Sequence, residues 1–267
     1  MVSGVNLFGR ATLLFLPASR ERAVARARGA GADLVFLDLE DAVAPADKDS
    51  ARAAAVAAVA EPWSCPVAIR VNGVGSEWFE ADVAAVAGSG AALVIVPRVE
   101  QAKDVAQLRE RTGKPVAAMV ETARGVLAAE EIAREVAALI AGTNDLAASL
   151  RLPAGAGRGS MQVALQTIVL AARAHGIPCF DGVFNRLDDP DGFASEAAES
   201  RRLGFDGKTL IHPDQVAPCK AAFAPTGAEL ARAERLVAAA NGGAQRFEGE
   251  MIERMHVEAA ERLLKGR

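Results

Sequence analysis

Eight apolar runs punctuate the chain, and most of them stop at a charged or polar residue. They are TLLFLPA (12–18), LVFLDLE (34–40), PVAIRVN (66–72), ALVIVPR (92–98), PVAAMVE (115–121), AALIAG (137–142), PCFDGVF (178–184) and the weaker GKTLIH (207–212). Almost every position within a run is apolar, as in strands of a parallel sheet covered on both faces. Ala-rich segments of helix length separate the runs. One opens at Ser19, a candidate N-cap, and leaves through Gly29 and Gly31. Another spans 47–60, and a third spans 160–175 and stops at Gly176 and Pro178. Strand and helix in alternation predict βαβ units. Eight units in 267 residues, with no linker-like break, predict a chain of the α/β class folded as a (β/α)8 TIM barrel rather than an open doubly wound sheet. The barrel is expected over 1–224. Residues 225–267 are expected to form one or two extra C-terminal helices, packed on the barrel or on a neighbouring subunit. The segment RLPAGAGRGS (151–160) falls outside the repeat. It lacks the G-K-[ST] ending of a phosphate loop, so an active-site flap is expected there rather than a nucleotide cradle.

A barrel gathers the C-terminal ends of its strands on one rim, where catalytic groups sit. The polar residues that close the runs are therefore expected to converge: Asp38, Glu40, Asp41, Arg70, Asn72, Arg98, Glu121, Asp145 and Asp181. Glu121 and Asp145 are the sharpest pair. Two carboxylates on adjacent strand ends repel unless a cation lies between them. Two oxygen-donating side chains, completed by water and substrate, describe a Mg2+ site. The other reading is that each acid caps the helix that follows it. Arg70 is either a carboxylate clamp for a substrate or the ion-pair partner of Glu40 or Asp41. His212 is placed to reach the rim. Lys208 is the one lysine at a strand end, and hence the one Schiff-base candidate. With no other such lysine, a metal becomes the expected electron sink.

Composition narrows the classes. The net charge is −4, with no basic stripe, so no nucleic-acid partner is expected. No apolar stretch reaches the roughly 18 residues of a membrane span. The N-terminal segment has no basic region ahead of its apolar run and makes a poor signal peptide, so a cytoplasmic protein is expected. The three cysteines, Cys65, Cys179 and Cys219, lie far apart and fit reduced thiols rather than a disulfide or zinc framework. There is no Tyr and no G-x-S-x-G elbow, which argues against a tyrosine acid and a serine hydrolase.

These stretches together resemble the citrate lyase beta-subunit-like family of the HpcH/HpaI aldolase superfamily. The likeness is carried by LLFLPASRERAVARARGAGADLVFLDLEDAVAPADKDSAR, VAIRVNG, VIVPRVE, VETARG, AGTNDLAASL, DGVFNRLDDPDGF and LGFDGKTLIHPDQV, in one order along nearly the whole chain. The resemblance implies a Mg2+-dependent barrel that makes or breaks carbon–carbon bonds in citryl-, malyl- or citramalyl-thioesters through an enolate. It implies Glu121 and Asp145 as metal ligands and Arg70 at the substrate. Thioester contacts are implied along the first strand end (Pro17, Ala18, Arg20) and near KTLIHP (Lys208, His212). The general base is left open among Glu40, Asp41 and Glu253, the last standing in GEMIERM where the family usually carries Asp. A homo-oligomer, trimer or hexamer, is also implied. Two rival readings remain at this point: a Mg2+-dependent pyruvate aldolase that uses a 2-oxo acid without a thioester, and a partner-dependent subunit of the citrate lyase beta type.

Overall fold

A computed structural model describes residues 5–265. The first four residues, part of the segment read above as a poor signal peptide, and the last two lie outside the described residues. The chain divides into two compact units, Met1–Phe223 and Ala224–Arg267.

Each apolar run contains one strand of the first unit: β1 Thr12–Pro17, β2 Leu34–Asp38, β3 Val67–Arg70, β4 Leu93–Val96, β5 Val116–Val120, β6 Ala138–Ala141, β7 Cys179–Asp181 and β8 Gly207–Leu210. All pair in parallel in chain order, and β8 returns to β1, so the sheet closes. Strand side chains alternate between the two faces. One set, which includes Leu34, Phe36, Ala68, Ile95, Ala117, Ile140 and Phe180, fills the barrel interior. The other, which includes Leu14, Val35, Leu37, Ile69, Val94 and Leu139, packs beneath the helices. Small residues flank the large ones: Ala68 stands beside Phe36, and Gly207 beside Phe180. The register sets Asp38 directly opposite Arg70 at the top of β2 and β3.

The helices begin and end for local reasons. Asp189 caps helix Pro190–Leu203 by accepting from Gly192 N, and Gly204 closes it at φ 95°, a conformation Gly adopts without penalty. Ser19 does not cap the first helix. That helix is Glu21–Ala27, its N-cap is Arg20, and no side chain caps it. The segment 151–160 is a loop entering a short 3-10 turn, Arg158–Met161.

The second unit holds helix Gly227–Ala239, opened by a Thr226/Glu229 capping box, and helix Arg254–Lys265. Between them lies a feature that the helical reading of 225–267 omitted, the antiparallel hairpin β9 Gln245–Phe247 and β10 Glu250–Ile252. Its two turn residues, Glu248 and Gly249, both have positive φ, the backbone that matches the twist of a tight hairpin. Ala233, Leu236, Ile252 and Ala260 form this unit's core. Among the described residues, no helix is long and apolar enough to cross a membrane.

Candidate active site

A cleft of about 450 Å³ opens at the C-terminal mouth of the barrel. Phe15 and Pro17 from β1, Arg20 at the start of the helix that follows it, Asp41 after β2, Arg70, Met119 and Glu121, residues 142–145 after β6, Asn185 after β7 and Thr209 from β8 all line it. Strand-end residues scattered through the sequence thus meet on the rim.

Arg70 is buried, and its charge is almost fully committed. Nε and Nη2 donate to Asp38 Oδ1 and Oδ2 at 2.6 and 2.8 Å. Nη1 meets Glu40 Oε2 at 2.8 Å, off the line of a hydrogen bond. The guanidinium lies over the Phe15 ring, 4.3 Å from its centroid. Burial opposes its charge, but Asp38, Glu40 and Glu121 hold it protonated. The two readings of Arg70 therefore coexist: it is ion-paired, with Glu40 but not Asp41, and it also faces the cleft. Its bidentate fork is spent on Asp38, so a ligand meets its remaining N–H donors, not a free clamp.

Glu121 is 2% exposed. Its Oε1 accepts from Arg98 N at 2.7 Å, an amide aimed by the left-handed turn at Arg98 (φ 52°). Its Oε2 stands against Gly142, where a Cβ would come within 2.0 Å of it. Burial lifts the Glu121 carboxyl to about 7, against Arg70 and the Arg98 amide and with help from Asp145 and Asp41. Burial likewise lifts Glu40 to about 8, with Arg70 opposing and Asp41, Glu121 and Asp38 adding. Neither member of the Glu121/Asp145 pair is a helix cap. Thr122 caps the helix after β5, accepting from Gly125 N. Asp145 lies in the first turn of Thr143–Ser149, whose N-cap is Gly142. With the capping reading removed, two acids face the same cleft beside Asp41, and Arg98 Nη1 stands 3.8 Å from Asp145 Oδ1. Among the described residues no group of three or more His, Cys, Asp or Glu gathers as a metal cage. Two carboxylates with open positions suit Mg2+ and do not suit a closed zinc site.

The alternation of β8 removes Lys208 from the cleft and corrects its expected role. Thr209 faces the cleft, whereas Lys208 points into the helix layer, is 0% exposed and donates to Asp181 Oδ2 and Glu196 Oε1 at 2.8 and 2.7 Å. Asp181 leaves the rim set for the same reason. Burial would raise its pKa, but Lys208 and Arg158, 2.9 Å away, outweigh that and hold it low, and Ser200 donates a short hydrogen bond. Asn72 also turns away, to Lys48 and Asp82. His212 does not line the cleft. Its Nδ1 accepts from Asp214 N and caps a 3-10 turn beside a separate shallow pocket. Ala18 is buried with its N–H on Asp38 O and does not line the cleft either. Glu253 belongs to the second unit, where its N–H donates to His256 Nδ1.

Phe15, Met119, Thr143, Asn144 and Asn185 line the cleft without having been singled out in the sequence. For Phe15 and Met119 a signal existed, because counting by twos from Arg70 and Glu121 along their strands and neighbours marks the inward positions. Asn144 and Asn185 exchange side-chain hydrogen bonds, the shorter at 2.7 Å, across the loops after β6 and β7. No local pattern announces such a pair.

Comparison with known proteins agrees with this geometry. Residues 11–213 match the family described as HpcH/HpaI aldolase/citrate lyase. A (3S)-malyl-CoA thioesterase of Cereibacter sphaeroides is 39% identical over 264 residues, covering 95% of this chain and 93% of that protein. The citrate lyase subunit beta of Leuconostoc mesenteroides subsp. cremoris is 32% identical over 279 residues, covering 96% and 92%. CitE of Mycobacterium tuberculosis, solved in complex with magnesium, acetoacetate and coenzyme A, superposes with a TM-score of 0.86 at 35% identity, covering 98% of this chain and 99% of that one. A closed eight-stranded parallel barrel with acids at the mouths of β5 and β6, matched over most of its length by that family, makes this chain a member of the HpcH/HpaI aldolase/citrate lyase family.

Proposed function

We propose that the protein is a Mg2+-dependent carbon–carbon lyase acting on a malyl-, citramalyl- or citryl-CoA-like thioester through an enolate. The observation that carries this reading is the pair Glu121 and Asp145, two uncapped carboxylates facing one cleft beside a guanidinium already fixed by Asp38. Glu121 and Asp145 hold the ion, which when bound supplies Lewis-acid polarisation of the substrate's oxygenated acid group. Arg70 keeps a fixed positive charge where negative charge develops and needs no reorganisation to do so. Glu40, Asp41 and Glu253 are the candidate bases for the substrate hydroxyl. Asp41 lines the cleft, and Glu40 meets Arg70 behind it. Pro17 and Arg20, also lining it, receive the thioester end, and the Arg20 cation suits phosphate oxygens. The enzyme works in the cytoplasm as a homo-oligomer, a trimer or hexamer. Three free thiols support the compartment, and light scattering tests the assembly.

The test is product analysis. With malyl-CoA and Mg2+ the protein should release acetyl-CoA and the 2-oxo acid, and excess EDTA should abolish this. No turnover of malyl-, citramalyl- or citryl-CoA, or turnover indifferent to EDTA, refutes the proposal. A second reading is thioester hydrolysis, favoured by the 39% identical relative named as a thioesterase. Free malate and free CoA, without acetyl-CoA, identify it.

A further inference from the structure

Lys48 opens helix Lys48–Ala60, yet its side chain avoids solvent. It is 5% exposed and runs back beneath the loop that follows β2. Nζ donates to Leu39 O, Glu40 O and Asn72 Oδ1 at 2.7, 2.8 and 2.6 Å, and the Trp78 ring lies 4.9 Å away. An ammonium has three donors, and all three are spent. Asn72 is itself held, with its backbone N–H and Nδ2 both donating to buried Asp82 at 2.9 and 2.6 Å. Arg52 Nε donates to the same carboxylate at 2.7 Å. From the opposite side Asp38 accepts from Glu40 N and Ala42 N, each at 3.0 Å. One short segment, 39–42, is thus gripped by a buried anion on its amides and a buried cation on its carbonyls. It carries Glu40, which meets Arg70, and Asp41, which lines the cleft.

We propose that Lys48 is a positioning residue for the reaction, fixing the Leu39–Glu40 backbone so that the carboxylates of Glu40 and Asp41 stand at their working places beside Arg70. It does not line the cleft and acts only through those two acids. A buried ammonium is a costly way to hold a loop, since it is tolerated only when fully hydrogen-bonded. An apolar side chain of similar length would fill the space but leave Leu39 O without a donor and Glu40 O with Val43 N alone. The predicted effect on turnover rests on the lyase reading; the effect on the loop does not.

The experiment uses the full chain with Lys48→Met and, because it keeps a charge and protects folding, Lys48→Arg. Amide exchange at Glu40 and Ala42 should accelerate at least about tenfold in both, while β5 stays protected. A displacement of about 1 Å costs on the order of 100-fold in rate, so kcat should fall roughly 30- to 100-fold, with KM and Mg2+ affinity within about twofold. In a Glu40→Gln/Asp41→Asn background the further loss from Lys48→Met should shrink below about threefold, because the groups it positions are gone. Unchanged exchange at Glu40 and Ala42 overturns the proposal. So does unaltered kcat in both variants, or a full loss that persists in the double background. If the wild type turns over none of the thioesters, the lyase reading falls and the exchange result alone decides the role of Lys48.

Discussion

Replacing Glu121 by Gln separates the metal reading from a purely structural one. The carboxyl is buried, and its pKa stands at about 7 rather than 4.5. At roughly 1.4 kcal/mol per pH unit, the ionised carboxylate costs the metal-free fold about 3 kcal/mol. The folded value lies above the unfolded one, so the native state keeps its proton longer. This contribution is therefore fully present below pH 4.5, is lost as pH rises, and is gone above about 7. Gln removes the charge and keeps an oxygen for the Arg98 amide. Without metal at pH 8, Glu121→Gln should be more stable than wild type by about 1–3 kcal/mol, a Tm rise of roughly 2–5 °C for a chain of this size. Mg2+ should reverse the order. At 1,000 times its Kd a ligand adds about 4.1 kcal/mol to the protein that binds it, more than the variant's advantage, and the variant should gain almost nothing. Wild-type Mg2+ affinity should weaken as pH falls below about 7, because the ion must then displace a proton. Scanning calorimetry between pH 5 and 8, with and without Mg2+, reads all three effects. Equal Mg2+ shifts in the two proteins, or a stability difference between them that is flat from pH 5 to 8, would refute the reasoning.

Three further outcomes follow from the packing. Lys208→Met should destabilise the fold by about 1–3 kcal/mol in urea titration, since it removes a buried charged donor and leaves Asp181 to Arg158 and Ser200, while kcat/KM of the folded enzyme stays within about threefold; a large kinetic loss at full stability would return Lys208 to the cleft. Gly142→Ala places a Cβ 2.0 Å from Glu121 Oε2, so titration calorimetry should show Mg2+ affinity weakened at least about tenfold through a displaced ligand; unchanged affinity would mean that carboxyl is not a ligand. Arg70→Lys keeps the charge but gives up the two-point contact with Asp38. It should cost about 1–3 kcal/mol of stability and lower kcat more than it raises KM, and steady-state kinetics that match wild type would remove Arg70 from the chemistry.

The barrel was legible because its signal is repeated. Eight apolar runs each contain one strand, and periodicity survives small errors at any single end. Arg70, Glu121 and Asp145 were legible because a charged residue closing an apolar run has few places to go but the rim. What failed was the step from a strand end to the side it faces. In GKTL the inward residues are Gly207 and Thr209, which look unremarkable, while the conspicuous Lys208 faces outward and finds Asp181 at the end of β7 and Glu196 on the helix that precedes β8. Lys48 falls in the segment 47–60 expected to be helical, and nothing in the sequence sets it apart. Its burial depends on carbonyls of the preceding loop and an amide after β3, neither of which leaves a local trace. The β9–β10 hairpin was hidden in the same way, in a polar tail whose two short strands show little alternation.

Arg98 holds the key contact to Glu121 with its main chain, while its side chain is 60% exposed. What position 98 owes Glu121 is thus a conformation and an N–H, while its guanidinium makes only an exposed 3.8 Å ion pair with Asp145. Gly, Asn or Asp can adopt that left-handed turn, whereas Val and Ile resist it and Pro has no hydrogen to give. A saturation library there should tolerate loss of the exposed charge, with its weak ion pair to Asp145, far better than branched residues or proline. The exactness of this centre is thus written partly in peptide geometry, where a comparison of side-chain chemistry alone would pass it by.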